Sequence, residues 1–425
     1  ARHPHIAEIV FDVVLKTPDE RFGEYLKCLQ YLDVDYNSDR RAFSQMTRGR
    51  ELAKLFPDKV QVDEIFAVTQ QRSPNEATLC HQMAIYEINR AGGDLAQADA
   101  HLEAAIENAR GKSIALVEHT RAELALRRAK AADKPLAQQR YLKQAVDICS
   151  HLKRSSLGSH AYHTVAKVGI YKLKTALQED TLSDSELERI LRDTEREIAD
   201  GLKASPGDDY LLSAEAQLAQ LLAETNRAES ALRQAFTKNP RNGYVARTLA
   251  RLLEINEQVD EACDILRKAL EANNNDKALH HAYGKLLLKQ GTATDDEMLY
   301  HFRKDYSRGD SNFDAQLLHA RQVFVAEGAD ASKPMFRQLS NASVSVNQKR
   351  RLLYPLPTHF YGRVTKLEAS YCFVERDGPG DWIYCHASNV EEEVWRELQV
   401  SDRVAFSIAF TMRGPSALDL SLATH

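Results

Sequence analysis

The chain contains 425 residues, which is too long for one ordinary domain and predicts two or three domains or an elongated repeat array. A formal net charge of −5 excludes a protein that coats nucleic acid through bulk positive charge, although local basic patches stay open. No apolar run approaches the roughly 20 residues of a membrane span, and the six cysteines form no Cys-x-x-Cys pair. We therefore expect a cytoplasmic protein without a membrane partner, a zinc ribbon or a disulfide framework.

Residues 1–72 are predicted to form a helical N-terminal segment. Two apolar stripes at helical spacing support this prediction, one formed by Ile6, Ile9, Val10, Val13 and Val14, the other by Phe22, Tyr25, Leu26, Leu29 and Leu32. A further helix is expected over residues 40–56, because the next residue, Pro57, stops it. Helical repeats are expected over residues 73–345 and a separate domain over residues 356–425.

The central part of the chain repeats itself with a period of 34 residues. Ala228, Leu232, Ala235 and Pro240 recur one period later as Ala262, Leu266, Ala269 and Asn274. Small residues also recur at Ala216, Ala250 and Gly284. Small residues at a fixed step let two helices approach closely, so the pattern predicts consecutive pairs of antiparallel helices.

This period, with its small residues and its closing Pro or Asn, resembles the tetratricopeptide repeat family. The resemblance implies a mainly α fold, a helical-repeat superhelix in which each hairpin buries its apolar face on a neighbour. It also implies a concave groove that binds a protein or peptide through the first helix of each hairpin. The side chains expected to line this groove are Tyr210, Tyr244, Arg247, Arg251 and His281.

Further hairpins are predicted on both sides of the clearest repeats. The pair at residues 75–110 carries the same pattern at Ala98, Leu102 and Ala105. Helices are also expected at residues 115–131, 136–153, 159–178 and 184–204, the last opened by a Ser183-x-x-Glu186 capping box. After residue 290 the pattern degrades, with Asp296 and Arg303 at positions of small residues. Either an insertion near residues 291–296 shifts the register or the array is capped there.

Charge is unevenly distributed along the array. Residues 137–177 contain seven Lys or Arg against one Asp, whereas residues 179–200 contain nine acidic against three basic residues. A basic face of this kind could hold an anionic partner. A solvated helix face explains the same composition, and the two interpretations remain open.

From residue 359 the pattern changes to short alternating strands. Strands are predicted at residues 362–365, 371–374, 382–385 and 404–408, and Asp377-Gly378-Pro379-Gly380 supplies a hairpin loop. The pattern predicts a small closed all-β barrel.

Four short motifs in this region resemble the cold-shock form of the OB-fold: Gly362-x-Val364, Tyr371-x-Phe373-Val374, Asp381-x-x-Tyr384-x-His386-x-Ser388 and Arg413-Gly414-Pro415-x-Ala417. The resemblance implies single-stranded RNA or DNA binding by base stacking on exposed aromatic rings. The side chains expected to bind are Tyr371, Phe373, Tyr384, His386 and Lys366. The sequence departs from the family pattern because Lys366 replaces an exposed Trp and Ala387 replaces an aromatic residue.

The charge of this region leaves two interpretations open. Residues 359–425 contain six Lys or Arg against ten Asp or Glu, a balance of −4 that attracts phosphates poorly. The barrel is therefore interpreted either as a nucleic-acid binding module or as a packing and partner-docking unit with Phe373 and Trp382 partly in its core.

No catalytic, metal or cofactor site is predicted. His160-x-x-His163 and the pair His280 and His281 lack carboxylate or Cys partners at ligand spacing, so we interpret them as packing or surface residues. No nucleophile elbow or His-Glu-x-x-His motif occurs in the sequence. The chain is expected to recognise ligands, and an enzyme with an unrecognised site is the least favoured alternative.

The opening residues 2–11 resemble the junction that precedes the helical-repeat sensor of STAND-type signalling NTPases. With a first residue other than Met, this resemblance predicts a fragment: the non-catalytic sensor region of a larger NTPase of bacterial antiviral defence. It implies oligomerisation of the full-length protein when a ligand binds the repeats. The alternative is a stand-alone RNA-binding adaptor whose repeats recruit a protein.

Overall fold

A computed structural model gives the architecture of the chain. It describes residues 15, 18–56, 58–72, 76–90, 92–109, 112–179, 182–291, 293–306 and 312–423. Residues 2–11 and the first predicted apolar stripe lie outside this set. The chain divides into two compact units, Ala1–Val245 and Ala246–His425. Among the described helices, none combines the length and apolar character that crossing a bilayer requires.

The described part of the first unit is helical. Its helices are α1 (Pro18–Tyr31), α2 (Asn37–Met46), α3 (Gly49–Leu55), α4 (Lys59–Arg72), α5 (Glu76–Asn89), α6 (Leu95–Asn108), α7 (Lys112–Ala131), α8 (Pro135–Leu152), α9 (Gly158–Glu179), α10 (Asp184–Ala204), α11 (Asp209–Leu221) and α12 (Thr225–Lys238). From α5 onward, consecutive helices pack as the hairpins α5–α6, α7–α8, α9–α10 and α11–α12. The predicted capping box opens α10, where the Ser183 N–H donates to Glu186 at 3.1 Å.

The expectation of one helix over residues 40–56 is wrong, because Thr47 and Arg48 separate α2 from α3. The break brings the backbone of Gly49 against α5. The Gly49 N–H donates to the Gln82 side chain at 3.0 Å, and a Cβ at Gly49 would lie 2.1 Å from the Gln82 carbonyl oxygen. The close approach requires glycine at this position.

The small residues of the predicted repeats lie where the helices touch. Ala98, Leu102 and Ala105 on α6 are fully buried, and so are Ala228, Leu232 and Ala235 on α12. A small residue at such a position allows close approach, and the larger Leu fills the remaining space. The tetratricopeptide pattern therefore selects core residues, as predicted.

The second unit contains helices and a barrel. Its helices are α13 (Gly243–Ile255), which holds the boundary between the units, α14 (Val259–Ala272), α15 (Lys277–Gln290), α16 (Asp295–Lys304), α17 (Phe313–Glu327), α18 (Ala329–Ser340) and α19 (Val346–Arg350). Ala262, Leu266 and Ala269 are buried on α14 as predicted.

A two-residue shift of register explains the degraded repeat. Helix α12 begins 34 residues before α14, whereas α14 begins 36 residues before α16. The buried Met298 and Phe302 thus take the places of Ala262 and Leu266, and Asp296 and Arg303 are exposed. Of the two alternatives, the insertion accounts for the broken pattern.

The C-terminal strands form a closed five-stranded barrel in the order β1-β2-β3-β5-β4. The strands are β1 (His359–Leu367), β2 (Tyr371–Arg376), β3 (Trp382–His386), β4 (Arg403–Thr411) and β5 (Gly414–Leu422), and a short helix α20 (Glu392–Glu397) joins β3 to β4. Strand β5 was not predicted, because Gly414-Pro415 is typical of a turn. Helical repeats followed by a β-barrel confirm the predicted fold class.

The last helical hairpin and the barrel share one apolar core. Leu317, Phe324 and Phe336 of α17 and α18 belong to the same buried cluster as the inward residues of the strands. The ring of Phe410 on β4 lies 5.3 Å from that of Phe324, edge to face, and 6.1 Å from that of Phe336. The barrel is therefore built onto the hairpin that precedes it.

Candidate nucleic-acid interface and repeat surface

Strand alternation sorts the residues of β2 and β3 onto two faces. Cys372, Val374, Ile383 and Cys385 point into the barrel and are fully buried. Successive side chains on a strand alternate, so their neighbours point outward. The outward set is Tyr371 and Phe373 on β2 and Trp382, Tyr384 and His386 on β3.

The antiparallel register brings the outward rings together. Tyr371 lies opposite His386, and Phe373 lies opposite Tyr384. The Tyr371 and Tyr384 rings are 5.8 Å apart at an interplanar angle of 27°, and Phe373 packs edge to face against both, at 5.9 and 5.8 Å. Three of the predicted stacking residues therefore form one contiguous aromatic surface.

Trp382, which was not among the predicted site residues, extends this surface. Its indole lies 6.3 Å from the Phe373 ring and is 63% exposed. The interpretation that Trp382 lies partly in the core is wrong, because the inward position on this strand belongs to Ile383. Tyr371, Phe373, Trp382 and Tyr384 are called the aromatic face below.

Lys366 borders the aromatic face on β1. A bulge between Val364 and Lys366 places Lys366 opposite Phe373. Its Nζ lies 5.6 Å from the centre of the Tyr371 ring and 3.2 Å from a Glu368 carboxylate oxygen. Hydrogen bonds to Glu368 and Tyr371 raise the pKa of Lys366, so its ammonium stays charged beside the rings. The Glu368 carboxylate offsets part of that charge.

His386 lies at the end of β3, half-buried. Its Nδ1 accepts a hydrogen bond from the Ser388 N–H at 3.1 Å and lies 2.8 Å from the Ser388 hydroxyl. Because Nδ1 accepts from a backbone N–H, Nε2 carries the ring proton and is the nitrogen that can donate to a ligand. His386 thus stands at the edge of the aromatic face opposite Tyr371.

In the first unit, the predicted groove residues Tyr210 on α11 and Tyr244 on α13 are 46% and 47% exposed. Tyr210 packs against the rings of His160 and His163 at 5.7 and 5.6 Å, and His160 in turn contacts His119 at 5.5 Å. The rings belong to α7, α9 and α11, the first helices of three successive hairpins. The structure therefore adds His119, His160 and His163 to this candidate surface, which sequence spacing did not assign to it.

In the second unit, the other predicted groove residues differ in their availability. Arg251 is exposed, and Arg247 lies 3.6 Å from an Asp276 carboxylate oxygen. His281 is half-buried, with Nδ1 2.5 Å from Asp305 and Nε2 3.7 Å from Asp314. Its carboxylate partners already engage both ring nitrogens, which makes Arg251 the more accessible of the three.

The basic stretch at residues 137–177 contributes to a surface cleft in the first unit. The cleft has a volume of about 590 Å³ and is lined by Asp99, Arg121, Arg128, Arg140, Tyr141, Lys143, Gln144, Asp147 and Ile148. Asp99 binds Arg128 at 2.6 Å, and Arg121 lies 3.8 Å from Glu103. Carboxylates thus offset part of the positive charge.

The histidine pairs have protein partners in the structure. His280 Nδ1 lies 2.9 Å from His301 Nδ1, and His280 Nε2 lies 2.9 Å from the Asn274 carbonyl oxygen. Throughout the described ranges, no group of three or more His, Cys, Asp or Glu side chains is arranged to hold a metal ion. The six cysteines are free thiols.

Comparison with known proteins identifies both kinds of module. The 'Cold-shock' DNA-binding domain family model matches residues 360–423, and the tetratricopeptide repeat model matches residues 222–286. A thermophilic tetratricopeptide repeat protein of Thermus thermophilus covers 50% of this chain with 99% of its own, at 18% identity and a TM-score of 0.38. Yeast Tom70 covers 74% of this chain with 62% of its own, at 16% identity and a TM-score of 0.45.

The barrel has a relative at higher identity. Cold shock protein ScoF of Streptomyces coelicolor is 34% identical over 56 residues, which are 84% of that protein and 13% of this chain. Residues 360–423, which the family model matches, contain the aromatic face. Through residues 360–423, the chain belongs to the cold-shock domain family.

Proposed function

We propose that the chain is a recognition module that binds single-stranded nucleic acid on the aromatic face of its barrel and a protein or peptide through its helical repeats. The observation that carries the proposal is the contiguous set of rings formed by Tyr371, Phe373, Trp382 and Tyr384. Exposed rings on adjacent strands stack bases without requiring sequence-specific hydrogen bonds. Family membership of the barrel supports the same function.

The departures from the family pattern set the expected strength of binding. The exposed Trp of the family is replaced by Lys366, but Trp382 supplies an exposed indole elsewhere on the same surface. Each stacked base contributes about 1–3 kcal/mol, so the four rings can support binding without a strongly basic barrel. The balance of −4 over residues 359–425 keeps affinity moderate. Stacking on the rings favours unpaired strands, because their base faces are accessible.

The test is fluorescence anisotropy of a labelled short oligouridylate titrated with the full chain. The double variant Tyr371→Ala plus Tyr384→Ala removes two stacking positions, so the affinity should fall at least about tenfold. Tyr31→Ala is the matched control, because Tyr31 is 85% exposed on α1 and belongs to the other unit. If the parent and the double variant bind with equal affinity, the proposal is contradicted and the barrel is interpreted as a packing unit.

The protein or peptide partner of the repeats is proposed to contact Tyr210, Tyr244, Arg247, Arg251 and His281. Cross-linking at positions 210 and 251, followed by mass spectrometry of the captured peptides, tests this surface. The proposal would be contradicted if the partner cross-links at neither position 210 nor position 251 but does cross-link at the exposed control position Tyr36.

A second candidate function is that of a ligand sensor in a STAND-type NTPase of antiviral defence, located in the cytoplasm. The resemblance of residues 2–11 to the NTPase junction favours it. In such a protein, a ligand on the repeats would release an upstream ATPase to oligomerise. Sequencing the natural transcript tests the idea directly, because a reading frame without an upstream NTPase region would contradict it and favour the stand-alone adaptor.

A further inference from the structure

The residues that precede β1 carry a basic run without acidic neighbours. Lys349, Arg350 and Arg351 follow one another, and residues 346–358 contain no Asp or Glu. Extending the charge count from residue 359 back to residue 346 gives nine Lys or Arg against ten Asp or Glu, a balance of −1 in place of −4. The approach to the barrel therefore supplies cations that the strands lack.

Backbone hydrogen bonds attach this approach segment to the barrel. Leu353 and Phe410 exchange two N–H···O bonds of 2.9 Å as an antiparallel bridge, and the Leu356 N–H donates to Ile408 at 2.8 Å. Arg350, the last residue of α19, lies three residues before Leu353, and Arg413 lies three residues after Phe410, at the tip of the β4–β5 hairpin.

Tyr354 fixes the path of the segment. Its hydroxyl bonds to Asp314 on α17, and its carbonyl oxygen accepts from Arg321 Nε at 3.4 Å. Its φ of 53° lies in the left-handed region, which non-glycine residues adopt only where their surroundings hold them. The segment between Arg350 and β1 is therefore anchored to α17 as well as to the barrel.

Arg350 and Arg413 both act electrostatically on Tyr384 of the aromatic face. Ser416, three residues after Arg413, pairs with Tyr384 across the parallel β3–β5 contact. Burial raises the pKa of Tyr384, and the positive charges of Arg350 and Arg413 act in the opposite direction on the same phenol. Two guanidinium groups are thus close enough to one ring of the face to influence its ionisation.

These two arginines also differ from most cations of the barrel in their pairing. Arg376 binds Asp381 through two bonds of 2.8 Å, and Arg403 binds Asp377 at 2.7 Å. Within the described ranges, neither Arg350 nor Arg413 has a carboxylate within ion-pair distance. A guanidinium group without a protein carboxylate is available to a phosphate.

We propose that Arg350 and Arg413 form a phosphate clamp at the Tyr384 end of the aromatic face, which holds the backbone of the strand whose bases stack on the rings. Arg350 comes from outside the matched cold-shock segment, so the nucleic-acid interface includes residues before the barrel. This inference rests on the proposed function. It names the missing phosphate contacts of that same site.

The experiment measures the affinity of the full chain for a short oligouridylate at salt concentrations from about 50 to 200 mM. On single strands, each phosphate contact contributes about −0.7 to the slope of log K against log salt. The variant Arg350→Gln plus Arg413→Gln should therefore make the slope shallower by about 1.4. The control Arg337→Gln plus Arg396→Gln removes the same charge from exposed positions on α18 and α20 and should leave the slope unchanged.

The variants separate the failure of each proposal. If the slope of log K against log salt for R350Q/R413Q equals that of the parent chain while Y371A/Y384A binds more weakly, the clamp is overturned. The stacking function then still holds. Unchanged affinity in Y371A/Y384A, or no binding by the parent chain, overturns the stacking function and the clamp with it. An equal loss of slope in R337Q/R396Q also overturns the clamp, because net charge alone would then explain the effect.

Discussion

The helices of the first unit and the barrel of the second bury their apolar residues in different ways. Among the described residues, the first unit has several small clusters, such as Ala125, Leu126, Ala129, Leu142, Ala145 and Val168, each confined to neighbouring hairpins. The barrel, together with α17 and α18, has one cluster of 18 buried residues between positions 317 and 420. Contacts are local in the first case and extend across the whole module in the second.

This difference predicts how the stability of each region responds to a core substitution. In a repeat array, stability is a sum over hairpins and their interfaces, so a local loss remains local. In a closed barrel, every strand depends on the shared core, so one cavity weakens the whole module. Both tryptophans of the chain, Trp382 and Trp395, lie in the barrel region, so their fluorescence reports on the barrel separately from the helical circular dichroism.

The largest expected effect comes from Phe410→Ala, because Phe410 contacts both helices of the last hairpin from within the barrel. Removing its ring leaves a cavity next to Phe324 and Phe336 and should cost about 3–5 kcal/mol. Tryptophan fluorescence during urea unfolding measures the loss. Leu102→Ala in α6 is the control, and it should shift the helical signal while leaving the tryptophan transition in place. If L102A shifts the urea midpoint of the tryptophan signal as far as F410A does, the two regions do not unfold separately and the prediction is contradicted.

Low pH should destabilise the helices more than the barrel, because the described histidines whose pKa is lowered by burial all lie in helices. Burial lowers the pKa of His81 and of His301 to about 4, from an ordinary value of 6.5. The folded state holds these rings neutral while the unfolded chain binds protons. Their stabilising contribution is therefore complete above pH 6.5 and is lost as the pH falls towards 4, by on the order of 2–3 kcal/mol each.

Thermal melts between pH 7.5 and 4.5, followed by circular dichroism and by tryptophan fluorescence, check this expectation. As the pH is lowered, the melting temperature followed by circular dichroism should begin to fall at a higher pH than the melting temperature followed by tryptophan fluorescence. His81→Gln should reduce the pH dependence, whereas substitution of the exposed His151 by Gln serves as its matched control. If H81Q loses stability with acid as steeply as the parent, other groups cause the acid sensitivity.

The repeat core was predictable because its signal is local and periodic. Ala228, Leu232 and Ala235 recur at a fixed step and are buried, so sequence spacing alone located the helix contacts. The packing of α17 onto the barrel gave no such signal. That helix buries polar side chains, including Gln316, Arg321 and Gln322, so its hydrophobic pattern does not mark the face that meets the strands.

The candidate site was predictable where a single strand determines it. Alternation places Tyr371 and Phe373 on one face of β2, and the motif match indicated which face that is. Trp382 was missed because the motif Asp381-x-x-Tyr384 does not specify its position, although alternation along β3 places it on the same face as Tyr384. Arg350 was missed because it lies outside the motif, in a segment that joins the barrel through the bridge between Leu353 and Phe410.

The smallest expected effect concerns how closely helices approach in the repeats of the second unit. Gly284 on α15 takes the third small position of the 34-residue step, and a Cβ there would lie 2.7 Å from Phe302 on α16. Because an aromatic ring in a packed core moves at a cost, Gly284→Ala should destabilise the chain by about 1–3 kcal/mol despite its better helix propensity. Gly23→Ala on α1 is the matched control, since its Cβ would meet no atom within 4 Å and the change should stabilise by about 0.5–1 kcal/mol. Urea midpoints followed by circular dichroism measure both, and stabilisation by G284A would show that α15 and α16 are not in close contact at this position.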